Sequence, residues 1–285
     1  MKITDLEVFN FKGAFRGMRA PLESWDKSDS IFEILRAEDA DDFFYEVAYK
    51  WAENEGKPDD EEVIEKYNEW LYQVCHLRWA DYTSYVQDIA LIGPKDLELA
   101  QKLIRGGSEH RKFMRQIIVS FDLTAPIYFW KEFDTYKVGT TSNSTSTMHK
   151  LASTEITKYC FELNEDELNT IVASGHGAHG GEWELVYEDY WDDILHQCEN
   201  LRQLYNKTKD KKYWKMLIQL LPESWLQTRT ITMSYENILN IIHQRNNHKL
   251  SEWHWLLKKF REKLPYAYEL LFFLEDERKV KVNED

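Results

Sequence analysis

The residues best suited to chemistry are gathered in one stretch, Gly106 to Leu151, whose character changes three times. A Gly-Gly turn leads into a charged run in which His110, Arg111, Lys112 and Arg115 crowd together ahead of Gln116. The apolar run Ile117 to Phe121 follows, then an aromatic segment, then the hydroxyl-rich run Thr140-Thr141-Ser142-Asn143-Ser144-Thr145-Ser146-Thr147. Ser and Thr clusters satisfy nearby backbone groups and favour turns over helix interiors. This run therefore reads either as an exposed connector or as an anion cradle of backbone amides and hydroxyls. A second basic group, Arg16, Arg19 and Lys27, stands among Ser24, Ser28 and Ser30. It is either the first place where an anionic ligand is held or a solvated loop whose Ser28 or Asp29 caps the next helix. His176, His179, Glu182 and Glu184 invite a metal reading, yet a Gly-rich segment does not fix ligand geometry and no HExxH spacing is present, so a flexible loop is the favoured reading.

The rest of the chain must position these groups. Its 285 residues, 43% hydrophobic, are enough to bury a sizeable core. A formal net charge of -14 repels phosphate backbones, which argues against duplex DNA or RNA as a partner and leaves room for a mononucleotide pocket. Cys75, Cys160 and Cys198 lie far apart with no CxxC spacing, which predicts ordinary thiols in a reducing cytoplasm. The first residues, MKITDLEVFNFKGAF, show no signal-peptide core, and no uncharged run reaches bilayer length, so a cytoplasmic protein with no membrane partner is expected.

Alternation from Lys2 to Phe11 predicts a strand, and Gly13 and Gly17 predict a loop after it. Helical spacing predicts helices from Ile31 to Trp51 and a long helix or helix pair from Glu61 to Gln87. A short helix is expected between the Gly93-Pro94 turn and Gly106. A strand is expected at Ile117 to Phe121. Between Ala152 and Ala173 an uncertain strand, Thr157 to Leu163, precedes a helix start at Asn164 or Asp166. Amphipathic helices follow at Tyr187 to Leu204 and Lys211 to Leu221, joined by a lysine-rich solvated turn. The last third predicts a strand, Gln227 to Met233, a helix from Tyr235 to Gln244 capped by Ser234, a polar break, and a helix from Ser251.

Two segments of this pattern resemble the flavin-dependent thymidylate synthases. The first runs from Arg105 to Leu151, where His110 to Gln116, the strand at Ile117 and Thr135-Tyr136-Lys137 through Asn143, Thr145 and Thr147 follow the order of the family's flavin and nucleotide clamp. The second runs from Leu220 to Leu270: Leu221-Pro222, a strand, a helix, Arg245, Lys249-Leu250-Ser251-Glu252-Trp253 with one extra residue, and Pro265-Tyr266. The chain departs from the family's Arg-His-Arg at Thr135-Tyr136-Lys137, and a lysine does not replace a planar bidentate guanidinium. The family's Glu, Ser and Arg become Asn143, Thr145 and Thr147, which keeps amide and hydroxyl donors and removes a cation.

The resemblance implies an α+β fold with a central, mostly antiparallel sheet flanked by helices, in a single domain spanning 1–285 with helical insertions at about 31–91 and 152–217. It implies FAD as cofactor, NADPH and folate as co-substrates, a pyrimidine mononucleotide such as dUMP as substrate, and a homotetramer. The activity implied is a transferase reaction of nucleotide biosynthesis, methylation or a related C5 modification. By the same resemblance Arg245 is the catalytic and pyrimidine-binding residue. His110, Arg111, Arg115, Gln116, Lys137, Asn143, His248 and Lys249 are the cofactor contacts, and Ser142, Ser144, Thr145, Ser146 and Thr147 the substrate contacts. The lost clamp keeps a second expectation open, a non-catalytic nucleotide-binding or protein-interaction descendant of the fold.

Overall fold

The computed structural model describes residues 1–36, 40–79, 86–176 and 182–284. The alternating start forms β1 (Lys2–Phe9), and Asn10, in the left-handed region at φ 69°, turns the chain into α1 (Phe11–Arg19). Gly13 and Gly17, expected to mark a loop, lie inside this helix. Phe11, Ala14, Phe15 and Met18 recur at i, i+3, i+4 and i+7 and are all buried, so the apolar face outweighs the two glycines.

The stretch read as helical from Ile31 begins instead with a strand, β2 (Ile31–Arg36), which pairs antiparallel with β3 (Val86–Leu91) in a register running from Ile31↔Leu91 to Arg36↔Val86. A short apolar run does not distinguish helix from strand by period alone, and here the distant partner strand decides. Between them lie α2 (Ala40–Asn54) and α3 (Glu61–Trp79), so the helix expected to reach Gln87 stops earlier. The chain continues through α4 (Pro94–Arg105), β4 (Ile118–Pro126), α5 (Ile127–Phe133), β5 (Thr141–Ser144), α6 (Thr147–Lys150) and α7 (Glu165–Leu168). Then come β6 (Ile171–His176), β7 (Glu182–Val186), α8 (Tyr187–Thr208), α9 (Lys211–Leu220), β8 (Leu226–Ser234), α10 (Tyr235–Arg245) and α11 (Ser251–Lys263). A π-helical turn, Tyr268–Phe272, precedes α12 (Phe273–Glu284). Thr157 to Leu163 forms a 3-10 turn and an isolated bridge, Phe161 to Trp225, rather than a strand.

The fold is α+β, with an antiparallel four-stranded sheet in the order β1-β4-β8-β5. Two further pairs, β2 with β3 and β6 with β7, stand as separate two-stranded sheets. Among the described residues no helix is long and apolar enough to cross a membrane.

The chain divides into two compact units, and β1, β4 and β8 each carry residues of both. Unit 1 holds Met1–Asp5, Phe121–Lys137 and Thr141–Ile231. Its core gathers Leu151, Ile156, Phe161, Leu168, Trp191, Cys198, Leu217 and Trp225. Phe161 stands 5.2 Å from Trp191 and 5.4 Å from Trp225 between ring centroids, within aromatic pairing distance. Burial pushes the Cys198 thiol up to about 11, which keeps it an inert core thiol.

Unit 2 holds Leu6–Ser120, Val138–Thr140 and Thr232–Asp285. One of its apolar clusters joins Phe44, Val47, Ala48 and Trp51 of α2 to Ile64 and Leu71 of α3 and to Leu91. Elsewhere Phe11 meets Tyr235 and Tyr266 at 5.7 and 5.6 Å. Tyr266 adopts φ 55°, rare for a bulky residue, and is pinned there by its own hydroxyl, which donates to the Ala90 carbonyl and accepts from the Ile92 amide, both at 2.8 Å.

On α8 a charge pair supports the unit 1 core. Arg202 donates from Nε and Nη to both oxygens of Glu199 at 2.7 and 2.5 Å, and Glu199 also accepts from the Ile156 amide at 3.0 Å. The Arg202 hydrogen bonds are the main reason that the Glu199 carboxyl falls from the ordinary value of 4.5 to about 2. A depressed carboxylate contributes stability that is fully present above its unfolded value and is lost as pH falls through the folded one. For Glu199 the window runs from pH 4.5 down to about 2. Glu199→Gln is therefore expected to weaken unit 1 at neutral pH and to flatten its loss of stability across that window. Parallel acid-denaturation curves for the two proteins, followed by tryptophan fluorescence, would contradict this.

Candidate functional site

The N-terminal basic group is drawn inward. Arg19, 6% exposed, donates from Nε to Asp96 Oδ1 at 2.5 Å, and the hydroxyls of Ser28 and Ser30 donate to Asp96 Oδ2 at 2.6 and 2.5 Å. Asp96 itself is fully buried. The anion that this loop holds is thus the chain's own carboxylate. Asp29 does act as a cap, but of α4 and not of the next helix in sequence: it accepts from the Lys95 and Asp96 amides at 2.9 and 3.1 Å. Burial is the main influence that raises the Asp29 carboxyl above its ordinary value, opposed by those two amides and reinforced by the neighbouring Asp96 charge. The cap comes so close that a Cβ at Gly93 would lie 2.3 Å from the Asp29 carboxyl, which explains the glycine there. Arg16 and Lys27 remain on the surface.

The cluster before β4 is divided in the same way. Arg111 donates to Glu236 at 2.9 Å and to Asn240 at 3.3 Å, which fastens it to the first turns of α10. Only 11% of its side chain is exposed. His110, Arg115 and Gln116 are exposed, with Arg115 reaching the Ser108 carbonyl at 3.4 Å and the Gln116 carbonyl accepting from Asn10 at 3.0 Å. At the start of α10 the Ser234 hydroxyl accepts from the Asn237 amide at 3.3 Å, and the Asn237 side chain returns a bond from the Ser234 amide at 3.2 Å. Asn237 also donates to the Val138 carbonyl at 2.6 Å and approaches Gly139, which takes φ 74°. Next to that turn the Thr140 hydroxyl is buried with no hydrogen-bond partner among the described residues, a polar atom that a ligand would satisfy.

At the far end of α10, roughly 7.5 Å along the axis from Asn240 at 1.5 Å per residue, Arg245 lies with its guanidinium 4.7 Å over the ring of Trp253. His248 meets the same ring at 6.3 Å, and its Nδ1 accepts from the Leu250 amide at 3.2 Å. Trp253 is fully buried and Lys249 exposed, so a fixed aromatic floor orients a cation and an imidazole at the polar break between α10 and α11.

Unit 1 holds the other half of the expected residues. The run read as a connector or cradle is an edge strand, β5, in which Thr141, Ser142, Asn143 and Ser144 are all exposed, followed by Ser146 as the N-cap of α6. Lys137 is exposed as well. The Thr145 amide donates to the Thr228 carbonyl at 2.8 Å, and Gln227 donates from Nε2 to the Thr145 carbonyl at 3.0 Å and to the Thr147 hydroxyl at 3.3 Å. Arg229, two residues on along β8, donates to the Gln227 side-chain oxygen at 3.0 Å and to Asp134 at 2.6 Å. Its guanidinium lies 4.3 Å over Trp130. Arg229 belongs to no motif in the sequence; its one local signal is the Gln227-Thr228-Arg229 spacing, which places two long polar side chains on one strand face.

His110, Arg111, Arg115, Gln116, Arg245, His248 and Lys249 thus belong to unit 2, and Lys137, Ser142, Asn143, Ser144, Thr145, Ser146 and Thr147 to unit 1. His176 ends β6 opposite Glu182 of β7 in a hairpin, and His179 lies outside the described residues. Among the described residues no group of three His, Cys, Asp or Glu side chains is placed to hold a metal ion.

No family model matches the sequence, and a search of the curated proteins finds no match. Solved structures do match. A thymidylate synthase X from Helicobacter pylori, with FAD and dUMP, is similar over 95% of this chain and 97% of its own length at a TM-score of 0.54 and 15% identity. A flavin-dependent thymidylate synthase from the same organism, complexed with FAD and dUMP, covers 84% of this chain and 97% of its own at a TM-score of 0.45 and 16% identity. The first of these likenesses shows a fold of the flavin-dependent thymidylate synthase type.

Asp96→Ala would strand a buried guanidinium, and removing one partner of a buried pair typically costs about 3–5 kcal/mol. Urea denaturation is expected to show a loss of that size. A loss below about 1 kcal/mol, the scale of an exposed pair, would mean that Arg19 reaches solvent.

Proposed function

We propose that this chain is a diverged flavin-dependent thymidylate synthase-like transferase, a single domain with insertions at 31–91 and 152–217, that binds a pyrimidine mononucleotide such as dUMP and modifies it at C5. The observation that carries the reading is the fold, similar along 95% of the chain to a thymidylate synthase whose structure holds FAD and dUMP. The polar break after α10 supports it: Arg245, oriented on Trp253, is the residue we assign to the pyrimidine. The chemistry of the donors also suits anionic ligands, with exposed hydroxyls at Ser142 and Ser144 and a buried Thr140 hydroxyl that has no partner among the described residues.

FAD, when bound, would supply the redox chemistry, with folate as one-carbon donor and NADPH as reductant. Exposed His110, Arg115, Gln116 and Lys249 and the half-buried His248 offer cations and an amide for its phosphates and ring. Arg111 is less suited, because Glu236 already balances its charge. That balance, together with Thr135-Tyr136-Lys137 in place of three ring-bearing or guanidinium groups, favours a second reading: a nucleotide-binding or protein-interaction descendant without flavin. The assembly expected under the first reading is a homotetramer.

The visible spectrum of the purified protein separates the two. A yellow protein, or one that takes up added FAD, is expected for the transferase; a colourless protein that neither takes up FAD nor gains thermal stability with dUMP contradicts it. A ligand at a hundredfold excess over Kd adds about 2.7 kcal/mol of stability. Arg245→Ala is expected to remove this gain, and an unchanged gain would displace Arg245 from the pyrimidine site.

A further inference from the structure

The hydroxyl-rich edge of unit 1 has a cation of its own. β8 brings Gln227 and Arg229 to one face, and the residue between them, Thr228, carries the backbone bond to Thr145. Gln227 therefore stands between Arg229 and the loop: it accepts from Arg229 through its oxygen and donates to Thr145 and Thr147 through its nitrogen. This orientation of the amide is fixed from both sides, since the oxygen must face the guanidinium and the nitrogen the carbonyl. The guanidinium is fixed as well. It lies 4.3 Å over the Trp130 ring, whose own Nε1 donates to the Ala125 and Gln227 carbonyls at 3.0 Å, so the floor under the cation is tied to β4 and β8.

We propose that Arg229 is the phosphate-binding cation of a nucleoside monophosphate site on this edge, acting with the exposed hydroxyls of the strand, next to which its Gln227 tether holds the Thr145 carbonyl and Thr147 hydroxyl in place. A guanidinium carries five N–H donors in a rigid plane. Among the described residues Gln227 and Asp134 accept two of them. The Arg229 side chain keeps 15% of its surface exposed, and its acid partner, Asp134, is 49% exposed and so is weakly held against competing anions. A phosphate monoester, with two charges and three acceptor oxygens, is a stronger partner for a preorganised fork than one half-solvated carboxylate. Adjacent exposed hydroxyls on an edge strand supply neutral donors that a dianion accepts without competing charge. The inference rests on the nucleotide reading proposed above and concerns only the phosphate group, at residues of unit 1.

Calorimetric titration of the full chain with dUMP, deoxyuridine and inorganic phosphate tests it. Binding of dUMP at least about tenfold tighter than deoxyuridine is expected, from the usual strength of hydrogen bonds to charged groups. Arg229→Gln should remove that difference while leaving deoxyuridine binding in place, and Arg229→Lys should retain only part of it. Asp134→Asn, which releases the cation from its acid, should tighten dUMP binding, an effect that a merely structural arginine would not give. If Arg229→Gln loses its cooperative unfolding transition, the lysine and asparagine variants carry the test. A preference for dUMP that survives Arg229→Gln, or equal affinities for dUMP and deoxyuridine in the natural chain, overturns the proposal and leaves the pyrimidine reading intact. Binding of inorganic phosphate through Arg229 with no affinity for either pyrimidine overturns the pyrimidine reading and supports the phosphate site. No binding of any of the three overturns both.

Discussion

A carboxylate with no solvent around it, Asp96, needs partners from several parts of the chain, and collecting them dictates much of unit 2. Arg19 comes from the end of α1, Ser28 and Ser30 from the segment ahead of β2, and Asp96 itself from the first turn of α4. Asp29, between the two serines, caps α4, and its own carbonyl accepts from Trp51 Nε1 of α2 at 3.0 Å. An unpaired buried charge would cost several kcal/mol, so these elements fold around the carboxylate together or not at all. Tyr266 extends the arrangement to the C-terminal part of the unit through Ala90 and Ile92.

The same constraint redistributes the chain's capacity for ligands. Of the two basic groups that resemble anion sites in the sequence, one guanidinium is neutralised by Asp96 and another, Arg111, by Glu236. Outside those two pairs, cationic side chains stand on the surface of the cluster before β4, at Arg245 over Trp253, and at Arg229 beside the hydroxyl edge of unit 1. Both arginines at these remaining sites lie on tryptophan rings. The ring under each guanidinium adds a cation–π contact, and Arg229 also pairs with Asp134.

How far the sequence discloses this arrangement follows from how local each signal is. The α10 helix, its Ser234 cap and the Gly93 and Gly106 limits of α4 are all written in consecutive residues, and the structure has them where the caps place them. The β2 strand is settled by β3, dozens of residues later, so its apolar spacing reads equally well as helix. In α1 two glycines mask a regular buried face. The hydroxyl run lacks the bulky residues of a typical strand and becomes one through backbone pairing with β8. Arg229 stays hidden for the same reason: Trp130 and Asp134, which it meets, are distant in sequence. A buried salt bridge such as Arg19 with Asp96 looks on paper like two ordinary surface charges, because burial is a property of the fold.

The central proposal is that an anionic nucleotide meets this chain at the hydroxyl edge of unit 1 with Arg229 and not at the N-terminal basic loop. Amide hydrogen exchange with and without saturating dUMP tests it most directly. Added protection is expected at Thr141 to Thr147 and at Gln227 to Arg229, with exchange at Arg16 to Ser30 unchanged. Protection confined to Arg16 to Ser30, with none along the hydroxyl edge, would contradict the account.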